Sequence, residues 1–352
     1  MEGRGKERKL RLAVIGVGHL GKAHARIYSE IDGVELVGVV DIDRAAANSV
    51  ADKLGTRAFY DHKDVLDAVD AVSIVVPTHK HYEIAKEFLQ RGINTFLEKP
   101  MTRTVEEAEE LVEIARNKNC VLQIGHIERF NPAVIAVKDL MKEPRFIECD
   151  RISKFSFRSL DIGVVLDLMI HDLDIVLTFV NSEPEEVEGV GLAVFGPYED
   201  MASARIKFKN GCLAYLRASR ISNKSMRKIR VFQIDSYLSI DYAERTAKVF
   251  KKKANITALR EEIASLPKKS LSLEEAQKYL FENLIDIKEV AITEDEEPLR
   301  LELESFVESV QEEKPPVVSG ELGLRTMRLA HRILKSIKEN SYAAPIGSDM
   351  RR

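Results

Sequence analysis

The sequence contains only three cysteines, Cys120, Cys149 and Cys212, and they are scattered along the chain. An odd number of separated cysteines is typical neither of a disulfide framework nor of a cysteine metal site. The sequence also shows no internal repeat and no low-complexity segment.

Strong net charge and long apolar runs are missing too. Lysine and arginine number 53 against 57 acidic residues, a net charge of −4, which gives no reason to expect a nucleic-acid partner. No apolar run is long enough to span a membrane. The basic stretch Arg4–Arg11 lacks the apolar segment of a signal peptide. We therefore expect a cytoplasmic globular protein without a membrane partner, and its 352 residues suggest two domains.

The first third of the sequence alternates between strand and helix patterns. Strands are predicted at Leu10–Ile15, Val34–Val40, Ala71–Val76, Asn94–Leu97 and Cys120–Ile124, and helices at Leu20–Glu30, Arg44–Leu54, His79–Arg91 and Val105–Asn117. Because the strands are continuously apolar, they fit a parallel sheet covered on both faces. This predicts an α/β fold that begins with a doubly wound Rossmann domain, residues 1–125.

After Pro132 strand patterns follow one another. They are predicted at Phe146–Phe155, Val187–Val194, Met201–Phe208, Cys212–Ala218, Ile229–Ile234 and Tyr237–Asp241, with helices at Val164–Val180, Ser272–Asn283, Leu301–Gln311 and Glu321–Glu339. Lys209-Asn210-Gly211 is a good hairpin turn. We therefore predict a second α/β domain, residues 126–352, on an open mixed or antiparallel sheet, with C-terminal helices able to pack back on the first domain.

Three spaced glycines join the first strand to the first helix. Gly16 allows a tight turn, Gly18 a close approach to a pyrophosphate, and Gly21 close packing of helix against strand. Asp41 ends the next strand, about 20 residues further on, where a carboxylate binds a ribose hydroxyl. The pattern predicts an NAD site that includes Gly16, Gly18, His19, Leu20, Gly21 and Asp41.

Asp41 favours NAD, because a carboxylate would repel the 2′-phosphate of NADP. Two alternatives stay open: Asp41 caps the following helix, and Arg44 binds that phosphate.

Polar residues also follow the other predicted strands, where ligands of doubly wound sheets bind. Pro77, Thr78 and His81 follow the third strand and Glu98 the fourth, and we add these four residues to the predicted NAD site. Lys99, next to Glu98, is predicted to transfer a proton there. His79 is interpreted as a surface residue. A surface position is also the alternative for His81 and for Lys99.

The predicted helix Val164–Val180 has no lysine or glutamate, which indicates a mostly buried helix. Asp167, His171 and Asp174 stand at i, i+4 and i+7 and form one polar stripe. A carboxylate one turn before a histidine can set its tautomer and raise its basicity, so we predict His171 as a general base supported by Asp167. The alternative is an internal hydrogen-bond network. Three ligands on one helix close a metal site poorly, so no metal is predicted.

Taken together, these motifs resemble the glucose–fructose oxidoreductase/inositol dehydrogenase/MocA (Gfo/Idh/MocA) family over nearly the whole chain. The matching motifs are Gly16-Val17-Gly18-His19-Leu20-Gly21, Pro77-Thr78-His79-Lys80-His81-Tyr82, Glu98-Lys99-Pro100, Asp167-Leu168-Met169-Ile170-His171, and Val318-Ser319-Gly320-Glu321 with Gly323-Leu324. The resemblance implies a Rossmann domain, and an α/β domain whose open sheet mediates homodimers or homotetramers. It also implies that Lys99 and His171 are the catalytic pair and that Asp167 is a substrate-positioning or supporting acid.

Glu128-Arg129-Phe130-Asn131-Pro132 and the segment Ser159–Asp172 resemble the branch of this family that acts on UDP-sugars, particularly the UDP-N-acetylglucosamine 3-dehydrogenases. The resemblance implies that Arg129 and Asn131 contact the nucleotide sugar, with a structural hinge as the alternative. Many family members carry a glycine cluster before the aspartate, whereas this chain has Ile162-Gly163-Val164-Val165. A basic run could also supply a cation or two for a diphosphate, although solvated side chains are the simpler interpretation: Arg217, Arg220, Lys224, Arg227, Lys228 and Arg230.

The resemblance therefore implies NAD-dependent oxidation of a sugar hydroxyl, with C3 of a UDP-N-acetylhexosamine as the first hypothesis. An inositol or free-sugar dehydrogenase is the alternative within the family. A non-catalytic protein that senses NAD or a sugar, and an imine or biliverdin-type reductase, are further alternatives, since a fold does not determine a function.

Overall fold

The computed structural model describes residues 8–154, 162–253, 285–292 and 297–340, together with residues 261, 265, 272, 274 and 275. The predicted helix Ser272–Asn283 lies almost entirely outside these residues. The chain separates into two compact units, Met1–Phe130 with Asp295–Arg332 and Asn131–Glu294 with Ile333–Arg352.

The first unit is built on a parallel sheet that has six strands in the described part of the chain, in the order β3-β2-β1-β4-β5-β6. The strands are β1 Leu10–Ile15, β2 Val34–Val40, β3 Arg57–Phe59, β4 Ala71–Ile74, β5 Asn94–Glu98 and β6 Leu122–Gly125, and the helices are α1 His19–Glu30, α2 Arg44–Leu54, α3 His81–Gln90 and α4 Val105–Lys118. Strand order reverses between β1 and β4. The predicted doubly wound Rossmann fold is confirmed, and this reversal is where such sheets bind ligands.

The core of the first unit forms because the central strands carry apolar side chains that face helices. Leu12 and Val14 of β1 pack with Ile27 of α1 in one buried cluster. A helix from the end of the chain, α7 Pro298–Gln311, adds Leu303 and Phe306 to the same cluster. Burial of this apolar surface supplies the main stabilisation of the unit.

The second unit is built on a mixed sheet of eight described strands, in the order β14-β13-β12-β11-β7-β10-β9-β8. Only the β7–β10 pair is parallel among the described pairs. The elements are α5 Pro132–Val137, β7 Phe146–Lys154, α6 Ile170–Val180, β8 Pro184–Leu192, β9 Met201–Phe208, β10 Leu213–Ser222, β11 Met226–Phe232, β12 Ser236–Asp241, β13 Thr246–Lys252 and β14 Ile285–Glu289. The last helix, α8 Gly320–Asn340, begins in the first unit and ends in the second. The predicted mixed sheet and the hairpin at Lys209–Gly211 are both confirmed, with Gly211 at φ 83°.

Three differences from the sequence prediction matter. Strands β3, β13 and β14 were not predicted, because they are short or polar and lie at or next to a sheet edge. The predicted helix Val164–Val180 begins with a π-helical turn, Val165–Met169, before α6. The predicted helix at His79–Arg91 begins instead with a 3₁₀ turn, Thr78–Lys80, before α3.

None of the helices within the described residues is both long and apolar enough to cross a membrane. Over the same residues, no group of three or more His, Cys, Asp or Glu side chains is placed to hold a metal ion.

Candidate active site

The glycine turn between β1 and α1 is shaped by backbone contacts. Gly16 has a φ of 90°, and a Cβ there would lie 2.4 Å from the carbonyl oxygen of Val75. A Cβ on Gly21 would lie 1.9 Å from the carbonyl oxygen of Gly16. These two positions therefore exclude any side chain.

Gly18 differs, because a Cβ there would meet nothing within 4 Å. This residue is the N-cap of α1, whose first turn receives no side-chain cap and contains no acidic residue. The N–H groups of this turn and the positive end of the helix dipole can therefore face an anion in the open space beside Gly18. The geometry fits the pyrophosphate of a dinucleotide.

Asp41 lies at the end of β2, next to this turn. Its carboxylate accepts hydrogen bonds from the backbone N–H of Val17 at 2.8 Å and of Asp43 at 2.9 Å. Asp43, not Asp41, caps α2, by accepting from the N–H groups of Ala45 and Ala46. The cap alternative for Asp41 is therefore wrong, since Asp43 already occupies the cap. The half-buried carboxylate is held in place beside the glycine turn.

Arg44, the alternative contact for an NADP phosphate, stacks its guanidinium over the ring of Tyr60, 4.2 Å from the ring centroid. This cation–π contact holds Arg44 on α2, and NADP would have to compete with it for the side chain.

The loop after β4 contains an exposed Pro77, a half-buried Thr78 and an exposed His79. His81, in contrast, is buried, with Nδ1 2.9 Å from the carbonyl oxygen of Pro100 and Nε2 2.8 Å from that of Val76. Burial lowers the pKa of His81 below its ordinary value, even though both carbonyl oxygens favour the charged ring. His81 thus joins the loops after β4 and β5, so its surface alternative does not hold.

Glu98 is the last residue of β5, and Lys99 follows it. The Glu98 side chain is buried, and its Oε2 accepts a hydrogen bond from the backbone N–H of Lys99 at 3.1 Å. Lys99 is half-buried and precedes a cis peptide bond to Pro100. His24, which was not predicted from sequence as a site residue, is a fully buried residue of α1, and its Nε2 lies 3.3 Å from Glu98 Oε1. The sequence offered one signal for His24: its spacing places it on the same face of α1 as Gly21, Ala25 and Tyr28, which are buried.

In the second unit, Asp167 lies within the π-helical turn and His171 in the first turn of α6, and both are half-buried. Asp174, the third residue of the predicted stripe, is buried. The stripe was predicted from α-helical spacing, whereas Asp167 lies in a π turn, which changes its angular position relative to His171 and Asp174. Single π turns within helices are frequent at functional sites.

The start of this helical segment is held by Glu199. Its carboxylate accepts from the N–H of Val165 at 3.0 Å, its backbone carbonyl accepts from Val164, and burial raises the pKa of Glu199. A Cβ on Gly163 would lie 2.1 Å from a Glu199 carboxylate oxygen, so a side chain at this position would displace the carboxylate that contacts Val165. Sequence reasoning missed Glu199, because it is distant in the chain and follows no motif.

Buried ion pairs brace the same region. Arg220 donates to Asp200 at 2.6 Å and to the carbonyl of Ile162 at 2.8 Å. Arg151 of β7 pairs with Asp172, the residue after His171, through two hydrogen bonds of 2.9 Å. Together these contacts fix the segment that carries Asp167 and His171.

The predicted substrate contacts behave differently from one another. Arg129 is half-buried in the 3₁₀ turn Ile127–Phe130. The side chain of Asn131 is buried, caps α5 by accepting from the N–H of Ala133, and donates to the carbonyl of Tyr242 at 3.2 Å. These contacts favour the structural alternative for Asn131.

Most of the basic run is paired with carboxylates. Arg217, Lys228 and Arg230 lie 2.6 Å, 3.1 Å and 3.0 Å from Asp150, Asp241 and Glu148, respectively, and Arg220 is buried against Asp200. Lys224 and Arg227 are exposed. The run therefore supplies fewer cations for a diphosphate than its sequence suggested.

A Rossmann sheet with an open glycine turn and a fixed carboxylate on the next strand, followed by a mixed-sheet α/β unit, defines a class of dinucleotide-dependent oxidoreductases. Sequence comparison then identifies the family. The Gfo/Idh/MocA model described as "Oxidoreductase family, NAD-binding Rossmann fold" matches residues 10–126, and the model of its C-terminal alpha/beta domain matches residues 154–345. The chain belongs to this family, it is an oxidoreductase, and its predicted cofactor NAD is confirmed.

Individual relatives agree with this placement. The chain is 40% identical to a UDP-N-acetylglucosamine 3-dehydrogenase of Acidithiobacillus ferrooxidans over 276 residues, which is 77% of this chain and 88% of that protein. A solved structure of that enzyme matches with a TM-score of 0.82 at 34% identity, covering 94% of this chain and 98% of the other. The scyllo-inositol 2-dehydrogenase (NAD(+)) of Bacillus subtilis is 30% identical over 241 residues, 61% of this chain and 69% of that protein.

Proposed function

We propose that the protein is an NAD-dependent dehydrogenase that oxidises a sugar hydroxyl, with C3 of UDP-N-acetylglucosamine or a related UDP-N-acetylhexosamine as its substrate. The observation that carries the proposal is the 40% identity to the Acidithiobacillus ferrooxidans enzyme over 77% of this chain. We also propose that residues 1–125 bind the cofactor and that residues 126–352 bind the substrate.

The first unit would hold the cofactor. The glycine turn at Gly16, Gly18 and Gly21, with His19 and Leu20, would receive the pyrophosphate, and Asp41 would bind the adenosine ribose. Pro77 and Thr78 would line the same sheet edge, with His81 and Glu98 holding its loops in place. When bound, NAD supplies the acceptor for the hydride that leaves the substrate carbon.

Oxidation of an alcohol also requires that the hydroxyl proton leave. We assign this proton transfer to Lys99 and His171, with Asp167 as the supporting acid. Lys99 offers an ammonium that favours the developing alkoxide, and His171 offers a ring nitrogen that can accept the proton. The Glu98 carboxylate accepts from the backbone N–H of Lys99, and Arg151 pairs with Asp172, the residue after His171. Such contacts restrict the backbone that carries each proposed group, which favours one reactive geometry.

Arg129 is our proposed contact for the substrate diphosphate, because a planar guanidinium binds phosphate oxygens with two parallel hydrogen bonds. We propose a supporting role for Asn131. It orients the start of α5, close in sequence to Arg129, by capping the helix and by donating to the carbonyl of Tyr242.

A second candidate function is inositol or free-sugar oxidation, favoured by the 30% identity to the Bacillus subtilis scyllo-inositol dehydrogenase. A panel of UDP-N-acetylglucosamine, scyllo-inositol, myo-inositol and glucose, each with NAD, separates the candidates by the rate of NADH formation. We expect turnover with the UDP-sugar and a 3-keto product by mass spectrometry. Turnover with free polyols alone would favour the second candidate, and no turnover with any alcohol would favour a sensing protein.

The catalytic assignment is tested by replacing Lys99 with alanine. We expect kcat to fall by about 10²-fold or more, while the Kd for NAD changes little. Lys80→Ala is the matched control, since Lys80 is an exposed lysine paired with Glu83 at 3.0 Å. Near-normal turnover in Lys99→Ala would refute the assignment.

We also propose a homodimer or homotetramer formed through the sheet of the second unit. A row of packed aromatic rings crosses this sheet, among them Phe146, Phe232, Tyr237 and Phe250. Light scattering after size exclusion measures the oligomeric state, and a monomer at micromolar concentration would contradict the proposal.

A further inference from the structure

His24 is a buried polar residue that the proposed chemistry does not use. It lies in the middle of α1 with 0% of its surface exposed, on the helix face that packs against the sheet. Burying an imidazole among apolar side chains is unfavourable unless its two nitrogens find polar neighbours.

Both nitrogens of His24 do have polar neighbours. Nδ1 lies 2.9 Å from the hydroxyl oxygen of Ser73 on β4, and Nε2 lies 3.3 Å from Glu98 Oε1 at the end of β5. The second contact is electrostatic rather than a well-aligned hydrogen bond. In the tautomer that carries its proton on Nε2, Nδ1 accepts from Ser73 and the N–H faces the carboxylate.

The position of the ring leaves it little freedom. The rings of Phe96 and Tyr28 make T-shaped contacts with the imidazole, with ring centroids 5.4 Å and 6.4 Å away. The Glu98 carboxylate is also close to Gly125, where a Cβ would lie 3.0 Å from both of its oxygens. The carboxylate therefore has close neighbours in both His24 and Gly125.

This carboxylate also contacts the Lys99 backbone. One oxygen faces His24, and the other accepts the N–H of Lys99 at 3.1 Å. A continuous chain of polar contacts thus runs from Ser73 through His24 and Glu98 to the main chain of Lys99, all within the first unit. A shift of Glu98 would change the direction in which the Lys99 side chain leaves the strand.

We propose that His24 is a positioning residue that acts through Glu98 to orient Lys99. The inference rests on the proposed function, because it gives Lys99 the proton-transfer role. It predicts that loss of the contact lowers kcat and leaves NAD binding largely intact, since the proposed pyrophosphate and ribose contacts at Gly18 and Asp41 do not involve the Glu98 carboxylate.

The test compares His24→Phe, which keeps a flat ring but has no nitrogen, with His24→Gln, whose amide can accept from Ser73 and donate to Glu98. We expect His24→Phe to lower kcat by about 10–100-fold, the effect of displacing a catalytic group by about 1 Å, with the KM for NAD nearly unchanged. His24→Gln should recover most of the lost kcat. Ser73→Ala is a milder second variant, for which we expect the same kcat-against-KM pattern at smaller size.

Ile27→Ala is the matched control, because Ile27 is a fully buried apolar residue of the same helix. It should lower the melting temperature and keep kcat, which separates positioning from general loss of stability. In a Lys99→Ala background His24→Phe should cause no further loss of kcat, since residues that act as a unit are not additive.

Each outcome is informative. Normal kcat in both His24→Phe and Ser73→Ala, failure of His24→Gln to recover activity, or an additive loss in the Lys99→Ala background would each overturn the inference. If Lys99→Ala itself keeps its turnover, the proposed function fails instead. If Lys99→Ala loses turnover but His24→Phe keeps normal turnover, the positioning role of His24 is refuted and the proposed function stands.

Discussion

The buried pair of Arg151 and Asp172 offers a quantitative test of what holds the segment that carries His171. The two side chains are 4% and 2% exposed and meet through two parallel hydrogen bonds of 2.9 Å. The Arg151 guanidinium also lies over the ring of Tyr242, 5.2 Å from its centroid. An arginine in this position has almost no access to water that could replace the carboxylate.

Asp172→Ala therefore leaves a buried guanidinium without its charged partner. Removing one member of a buried ion pair costs about 3–5 kcal/mol, a large part of the roughly 5–15 kcal/mol that stabilises a whole domain. In a unit of this size the loss corresponds to a fall of roughly 10 °C in melting temperature. Because Asp172 follows His171, we also expect Asp172→Ala to lose activity at urea concentrations below those that unfold the protein.

Urea unfolding followed by circular dichroism measures the change in the free energy of unfolding. Scanning calorimetry measures the change in melting temperature. Because the chain has two compact units, the shift should appear in the transition of the unit that carries both residues. The double variant Arg151→Met/Asp172→Leu should recover much of the stability, since well-packed apolar side chains often replace a buried pair at little cost. Glu143→Ala, which breaks an exposed pair with Arg145, is the control and should leave the midpoint unchanged. If the free energy of unfolding of Asp172→Ala lies within about 1 kcal/mol of that of the parent, the buried pair does not contribute substantially to stability.

Three further predictions concern other parts of the chain. Asp41→Ser should narrow the preference for NAD over NADP in fluorescence titrations of both cofactors, because it removes a charge that repels the 2′-phosphate; equal binding of both by the parent would rule out this role. Arg129→Ala should raise the KM for a UDP-sugar far more than the Kd for NAD, and a similar change in both would indicate a structural role. Arg11 donates to Asp70 at 2.8 Å and lowers its pKa, so Asp70 adds stability above its unfolded pKa of about 3.9 that is lost as the pH falls through the folded value. Asp70→Asn should therefore destabilise the protein near neutral pH but not in strong acid, and an equal loss at both would contradict the assignment.

The Rossmann half of this protein is readable from local sequence. β1 and β2 have the bounds that their apolar runs predict, because most of their side chains are buried in the sheet core. Gly16 and Gly21 predict a tight turn without room for side chains. The structure shows that the backbone carbonyl oxygens of Val75 and Gly16 exclude a side chain at these two positions. The motifs that mark the family, Glu98-Lys99-Pro100 above all, are local as well.

Other features depend on partners that are distant in the chain. The strands β13 and β14 form because they extend an existing sheet edge, and their own sequences carry a weak signal. Asp41 and Asp43 could each cap α2 by sequence, and only the positions of the Val17 and Ala45 N–H groups distinguish their roles.

The supports of the proposed catalytic residues could not be predicted from sequence for the same reason. His24 reaches Glu98 across 74 positions of the numbering, Arg151 reaches Asp172 across 21, and Glu199 reaches Val165 across 34. Periodicity along the chain reports which face of an element is buried, whereas pairing between elements depends on strand order and helix packing. The sequence by itself therefore determined the fold class, the cofactor and the candidate chemistry, and the tertiary structure alone decided which buried charges hold that chemistry in place.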